Sequence, residues 1–439
     1  MKTVFIIAFA CLCTTCMQAQ SAKDFAAFRD NFIKGYIALQ IPALELSYAN
    51  NLQHIQSAYK IQQQLDFFKD ADKKIGMYET FQITDEERSD LDIMKFETAL
   101  NLQRLALEKR WAGEKPTIIP TSNLYSIPHG KEWYAYFLNR WLGAIVNPDE
   151  LYFNGVEETE RVKTKIEETA KSKGMSPAQL YKHLADSSFY ISNETALQQS
   201  FGEVKKIVQQ NLQKVFNVRQ VSNVNISRGN IDNLAQTPGY YNTNTFYYNY
   251  FGKPCSKRQV CWLYLHEAVP GRHYQSKIAA QTTQSAIQQL FHYPGFTDGW
   301  AAYAATLGTE LGAYQTPYDE LGCLEWDLVR SVRVIMDIGI NYYGWNDEKA
   351  LAIWKEYIPN QDEIAIKEIN RMKQWPAQVI TYKYGSALIL NWKKELQQKQ
   401  GNDFDIKDFH DRLLNHGALP FCMVRKNVFR SDNSLLTGK

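Results

Sequence analysis

Lys257-Arg258-Gln259-Val260-Cys261-Trp262-Leu263-Tyr264-Leu265-His266-Glu267-Ala268-Val269-Pro270-Gly271-Arg272-His273 is the stretch on which the reading turns. Lys257 to Ala268 has helical composition and ends in Trp-Leu-Tyr-Leu-His-Glu. A zinc-peptidase helix carries H-E-x-x-H, with two imidazoles on one face and the Glu as base. Here the fifth position is Pro270, and the next histidine is His273. Residues seven apart on an undistorted helix sit about 10 Å apart along its axis, too far for both to bind one ion. Pro270 removes a helical hydrogen bond and disfavours helical geometry at Val269. Gly271 permits a tight turn. The Pro-Gly pair is therefore what could fold His273 back towards His266. The same spacing also fits a helix that ends at Pro-Gly, followed by two unrelated side chains.

Around this stretch the chain is mostly helical. Ala22 to Trp111 places apolar residues at helical spacing, with a start signal at Thr84-Asp85-Glu86-Glu87. Ala112 to Gly130, with three prolines, reads as a loop. Trp133 to Leu142, Asp149 to Lys173, Ser176 to Leu184 and Asn193 to Phe216 read as helices, and so does most of the chain from Ser256 to about Gln400. Val218 to Cys255 is rich in Asn, Tyr, Thr and Gly. Within it, Thr245 to Tyr250 has strand propensity. Its position makes it a plausible edge for pairing with an extended peptide, with Tyr247 a candidate contact. The expected fold is mainly α, with a small ribbon before the motif helix.

Met1-Lys2, the apolar run Val4 to Leu12, and Ala19 have the layout of a secretory leader. The expected division is a leader at 1–19, a helical region at 20–216 and the motif-bearing region at 217–439, the last two packed as one unit. Export to a periplasmic or extracellular destination follows, with a lipid anchor on Cys16 as the lesser alternative. No later run is apolar enough to span a bilayer. Hydrophobic residues at 45% and charged residues at 22% are ordinary for a globular chain. A net charge of +2 predicts no general attraction to nucleic acid. Cys255, Cys261, Cys323 and Cys422 lie beyond the leader, and sequence does not decide whether they are bridged or free.

The segment Glu325 to Tyr343 is apolar around most of its circumference. Arg330, Arg333, Asp337 and Asn341 form one polar stripe along it. Buried charges need partners or a wet cavity, so the stripe faces either a cleft or an internal ion-pair network. In a cleft, Arg330 or Arg333 suits a substrate carboxylate.

The motif and three downstream ones resemble the bacterial domain of unknown function 885 family, which carries H-E-x-x-P-G-H-H-x-Q. His266, Glu267, Pro270, Gly271, His273 and Gln275 match it. Asp298-Gly299-Trp300-Ala301-Ala302-Tyr303 resembles the family's E-G-W-A-x-Y. Arg330, Arg333, Asp337 and Gly339 form a third motif, and Pro376, Gln378, Tyr382 and Gly385 a fourth. The resemblance implies a helical, neurolysin-like gluzincin fold. It implies Zn2+ held by His266, His273 and Asp298, Glu267 as general base, Tyr382 as oxyanion donor, and a peptide or peptide-like substrate. Arg330, Arg333, Asn341 and Tyr247 would line the substrate path. The chain departs from the pattern at Arg272, where the family has His, at Asp298 and Ala305, where it has Glu, and at Asn341, where it has His. Glu310 is a fallback carboxylate. A non-catalytic peptide- or glycan-binding relative, and a zinc amidase or esterase of the cell envelope, stand beside the peptidase reading.

Overall fold

In the computed structural model the described residues are 24–430, apart from 115–118, 121, 231–236, 251 and 360–361. The leader expected at 1–19, with Cys16, lies outside them. The architecture is mainly helical. The long helix Asp85–Glu114 begins where its sequence signals it. Glu87 N–H donates to the Thr84 hydroxyl, and Thr84 N–H donates to the Glu87 carboxylate. These reciprocal bonds satisfy amides that the first turn leaves open. Helices also cover Gly130–Leu142, Pro148–Ser172, Pro177–His183 and Glu194–Asn211, close to the expected bounds. Two short helices, Ile406–Leu414 and Phe421–Val428, extend the helical region beyond the expected end.

Pro148–Ser172 packs along Pro317–Asn341, so the first and second halves share one core that runs from Phe25 to Val428. Gly155 makes this possible, because a Cβ there would lie 2.8 Å from Val334. Helices Pro294–Ala305 and Thr381–Gln400 also pack closely. A Cβ on Gly299 would stand 2.4 Å from the Gly385 Cα, and one on Gly385 would stand 2.6 Å from the Gly299 Cα. The second and fourth motifs therefore contribute glycines that let two backbones touch.

Thr245–Tyr248 is a strand, as expected, but it is the central one of three. Asn225–Arg228 pairs with it in parallel and Gly239–Asn242 in antiparallel register. Both its edges are taken, which corrects the expectation that it offers a free edge to a peptide. Tyr247 stacks on Tyr240, with ring centroids 5.0 Å apart, and belongs to the sheet surface. The four cysteines are free thiols. Among the described residues no helix is long and apolar enough to cross a membrane.

Candidate functional site

The motif helix runs Arg258–Glu267 and stops. Ala268 leaves helical geometry, the Val269–Pro270 peptide is cis, and a new helix begins at Arg272. Only glycine fits at position 271, since a Cβ there would lie 1.9 Å from the His266 carbonyl oxygen. Trp300 fastens the turn from outside by donating its indole N–H to the Pro270 carbonyl at 2.9 Å. The aromatic residue of the second motif thus holds the break in the first.

The turn brings position 272, not 273, to the end of the motif helix. Arg272 Nη2 donates to Asp298 Oδ1 at 2.8 Å. Its Nε stands 3.3 Å from Glu267 Oε2, at ion-pair distance but without hydrogen-bond alignment. The second oxygen of Asp298 accepts from the Thr381 hydroxyl at 2.7 Å. Arg272 also lies 5.7 Å from the centroid of Tyr382, and the His266 ring lies 6.2 Å from the same ring. His266, Glu267, Asp298 and Tyr382 are therefore gathered as expected, with the Arg272 guanidinium among them.

His273 is not gathered with them. Its Nε2 is 2.7 Å from the Ser222 carbonyl and its Nδ1 is 3.3 Å from the Tyr241 hydroxyl. Successive helical residues point about 100° apart, so a helix that aims Arg272 at Glu267 turns His273 away. This corrects the assignment of His273 as a metal ligand. Zinc needs about four donors, at least three from protein. Among the described residues no three His, Cys, Asp or Glu side chains are arranged to hold a metal ion. Asp298 spends both oxygens on Arg272 and Thr381, so the residues present do not fit zinc.

Burial dominates the titration of the cluster. It pushes the Glu267 carboxyl up to about 7; Arg272 opposes the rise and Asp298 adds to it. Burial, then the charges of Arg330 and Arg272, hold the His266 imidazole well below its ordinary range, so it is neutral at physiological pH.

The polar stripe on Pro317–Asn341 divides. Arg333 forms a two-pronged pair with Glu368, at 2.8 and 2.7 Å. Asp337 accepts from the Tyr134 hydroxyl and the Ala377 amide. Asn341 accepts from the Leu124 amide and donates to the Asp337 and Met372 carbonyls. Arg333 and Asn341 therefore hold the packing together, which corrects their expected place on a substrate path. Among the described residues Arg330 has no such partner, and it lies 5.5 Å from the Trp262 centroid. Glu310 lies beyond the helix that carries Asp298, which ends at Ala305, and pairs with Lys393 at 3.4 Å. Sequence reasoning did not find Thr381, Tyr241 or Trp262. Thr381 adjoins Tyr382 of the fourth motif, and Trp262 stands one turn before His266.

A cavity of about 600 Å³ is lined by Tyr36, Trp133, Tyr136, Phe137, Arg104 and His292, among others. The charges of Asp298 and Arg272 act on His292, so this hollow lies within electrostatic reach of the cluster.

The family described as a bacterial protein of unknown function, DUF885, matches residues 60–428. No curated protein matches the sequence. Solved structures share the fold, two of them as follows. One is a suspected lipoprotein from Colwellia psychrerythraea, with a TM-score of 0.64 and 22% identity, covering 85% of this chain and 67% of the other. The second is a suspected lipoprotein of unknown function from Shewanella oneidensis, with a TM-score of 0.53 and 18% identity, covering 85% of this chain and 72% of the other.

Proposed function

The chain belongs to the DUF885 family, and from that membership we propose that it is a metal-independent member, exported, whose interior binds a small peptide-like ligand without hydrolysing it. One observation carries the reading: the Arg272 guanidinium lies against both Glu267 and Asp298. A peptidase of the zinc type needs those carboxylates for a divalent ion and for activating water. Here a single side-chain cation engages both of them from within the chain. The guanidinium opposes the rise that burial gives the Glu267 carboxyl, and it engages one oxygen of each carboxylate.

The second support is space. Ligand sites are commonly hollows of about 300–1,000 Å³ with mostly apolar walls and a few polar groups. The aromatic cavity beside His292 falls within that range. The leader-like start and the two neighbours named as suspected lipoproteins support export.

The test is ligand binding with and without a chelator. Short peptides and cell-wall glycopeptides are incubated with the full chain, and binding and cleavage are followed together. The reading predicts binding that ignores the chelator and no cleavage. Cleavage that stops when metal is stripped and returns with zinc would replace it with the peptidase reading.

A further inference from the structure

Arg330 differs from every other charged residue of the cluster. It is only 4% exposed. Beyond the face of Trp262, it has neither an ion-pair nor a hydrogen-bond partner among the described residues. The carboxylate that stands nearest on its own helix, Asp327, is taken. Its two oxygens accept from Lys383 at 2.7 Å and from Arg161 at 3.3 Å. Glu368, the carboxylate nearest the next arginine of the stripe, is held by Arg333.

A buried, unpaired cation is costly, because the desolvation of a charge is not returned without a counter-charge. The cost shows in the guanidinium itself, whose affinity for its proton is lowered by burial. Five donor N–H groups in a fixed fork lack acceptors. The fork is also well placed. Trp262 is shared by Arg330 and His266, whose ring centroid is 6.2 Å from the indole. Arg330 is close enough to act on the titration of both His266 and Glu267.

We propose that Arg330 is the anchor for a carboxylate on the ligand, with Trp262 as the wall beside it. This rests on the ligand-binding function proposed above and places the carboxylate end of the ligand beside His266 and Glu267, apart from the aromatic cavity, whose lining holds neither Arg330 nor Trp262. A carboxylate fits the guanidinium fork with two parallel hydrogen bonds. A doubly charged phosphate suits the place less well, because the carboxylates of Glu267 and Asp298 stand nearby and the other cation, Arg272, is already spent on them. A peptide that presents its C-terminal carboxylate has the required single charge and an apolar stem for the indole.

The experiment uses the full chain in chelator. Two pools of N-acetylated dipeptides, one with free C-terminal carboxylates and one amidated, are compared by saturation-transfer NMR and by titration. The acid pool is expected to bind at least about 10-fold more tightly, the worth of about 1.4 kcal/mol. Arg330→Met removes that preference while raising the melting temperature, since the cost of the unpaired charge disappears. Arg330→Lys retains part of the preference. Equal binding of the two pools, no binding of the acid pool up to millimolar concentration, or an unchanged preference in Arg330→Met overturns the inference. A marked fall in the melting temperature of Arg330→Met also overturns it, because it marks a structural cation. The wider reading fails differently: there, binding or cleavage appears only when zinc is supplied, whatever the end group.

Discussion

Arg272 donates to Asp298 at 2.8 Å while its Nε faces Glu267 at 3.3 Å, so one guanidinium bridges the carboxylates of two motifs. The Arg272 side chain is 23% exposed, and the two carboxylates are more buried still. In such a setting the pair is sensitive to the loss of either partner. Replacing Arg272 with Leu leaves two buried carboxylates without their cation. A loss of about 3–5 kcal/mol in unfolding free energy is expected, measured by denaturant titration at pH 7. A loss below about 1 kcal/mol would mean that the bridge is exchanged freely for water.

Arg272→His tests the same relationship from the side of the metal. Position 272 points at Glu267 and Asp298, whereas position 273 does not. An imidazole there would join His266 and Asp298 as a third donor. The variant is expected to gain stoichiometric zinc binding by calorimetry, and His266→Ala added to it should abolish that gain. A variant that takes up no zinc would show that the backbone at 272 cannot present a ligand.

Asp337 supplies a pH-dependent prediction away from this cluster. Burial raises its carboxyl from 3.8 to about 7. The folded state therefore holds a proton that the unfolded state releases between those values. The stability from this group is complete below about pH 4 and is lost as pH rises through about 7. Both hydrogen bonds to Asp337 go to Oδ1, and Oδ2 is unpartnered. Asp337→Asn keeps an acceptor at Oδ1 and removes the ionisation. The difference in melting temperature between variant and wild type should grow in the variant's favour from pH 5 to pH 8. A difference that does not change with pH would contradict the assignment.

Gly271 is where the two motif helices part. An added methyl group meets the His266 carbonyl oxygen at 1.9 Å, and that atom is backbone. Gly271→Ala should therefore cost at least the ~1–3 kcal/mol typical of overpacking. It should also shift Arg272 off its carboxylates, seen as a change in the Glu267 titration by NMR. Wild-type stability in this variant would show that the turn can relax without cost.

How much of this was legible in the residues varied with distance along the chain. The start of Asp85–Glu114 could be read because its cap is local: Thr84 and Glu87 are three apart. The break at Pro270-Gly271 was legible for the same reason. What the break does was not. Whether 272 or 273 faces Glu267 depends on how the second helix is rotated, and Trp300, thirty residues on, holds that turn. The stripe of Arg330, Arg333, Asp337 and Asn341 was visible as a period, and of its two alternatives the internal network holds for Arg333, Asp337 and Asn341. Arg333 finds Glu368 and Asp337 finds Tyr134, partners that no periodicity discloses. The strand at Thr245–Tyr248 was clear from its composition. Its central place was not, because its parallel neighbour Asn225–Arg228 has little of the alternation that marks a strand.

On this reading Arg272 supplies the positive charge that a metal ion would supply in a zinc site. The measurement that tests it most directly is zinc titration of the chelator-stripped mature protein, wild type beside His266→Ala, with metal content read by plasma mass spectrometry. The account predicts no stoichiometric zinc in the wild type and no difference between the two proteins. About one zinc per wild-type chain, lost in His266→Ala, would contradict it: Arg272 would then be a side chain that moves aside for a metal, not one that replaces it.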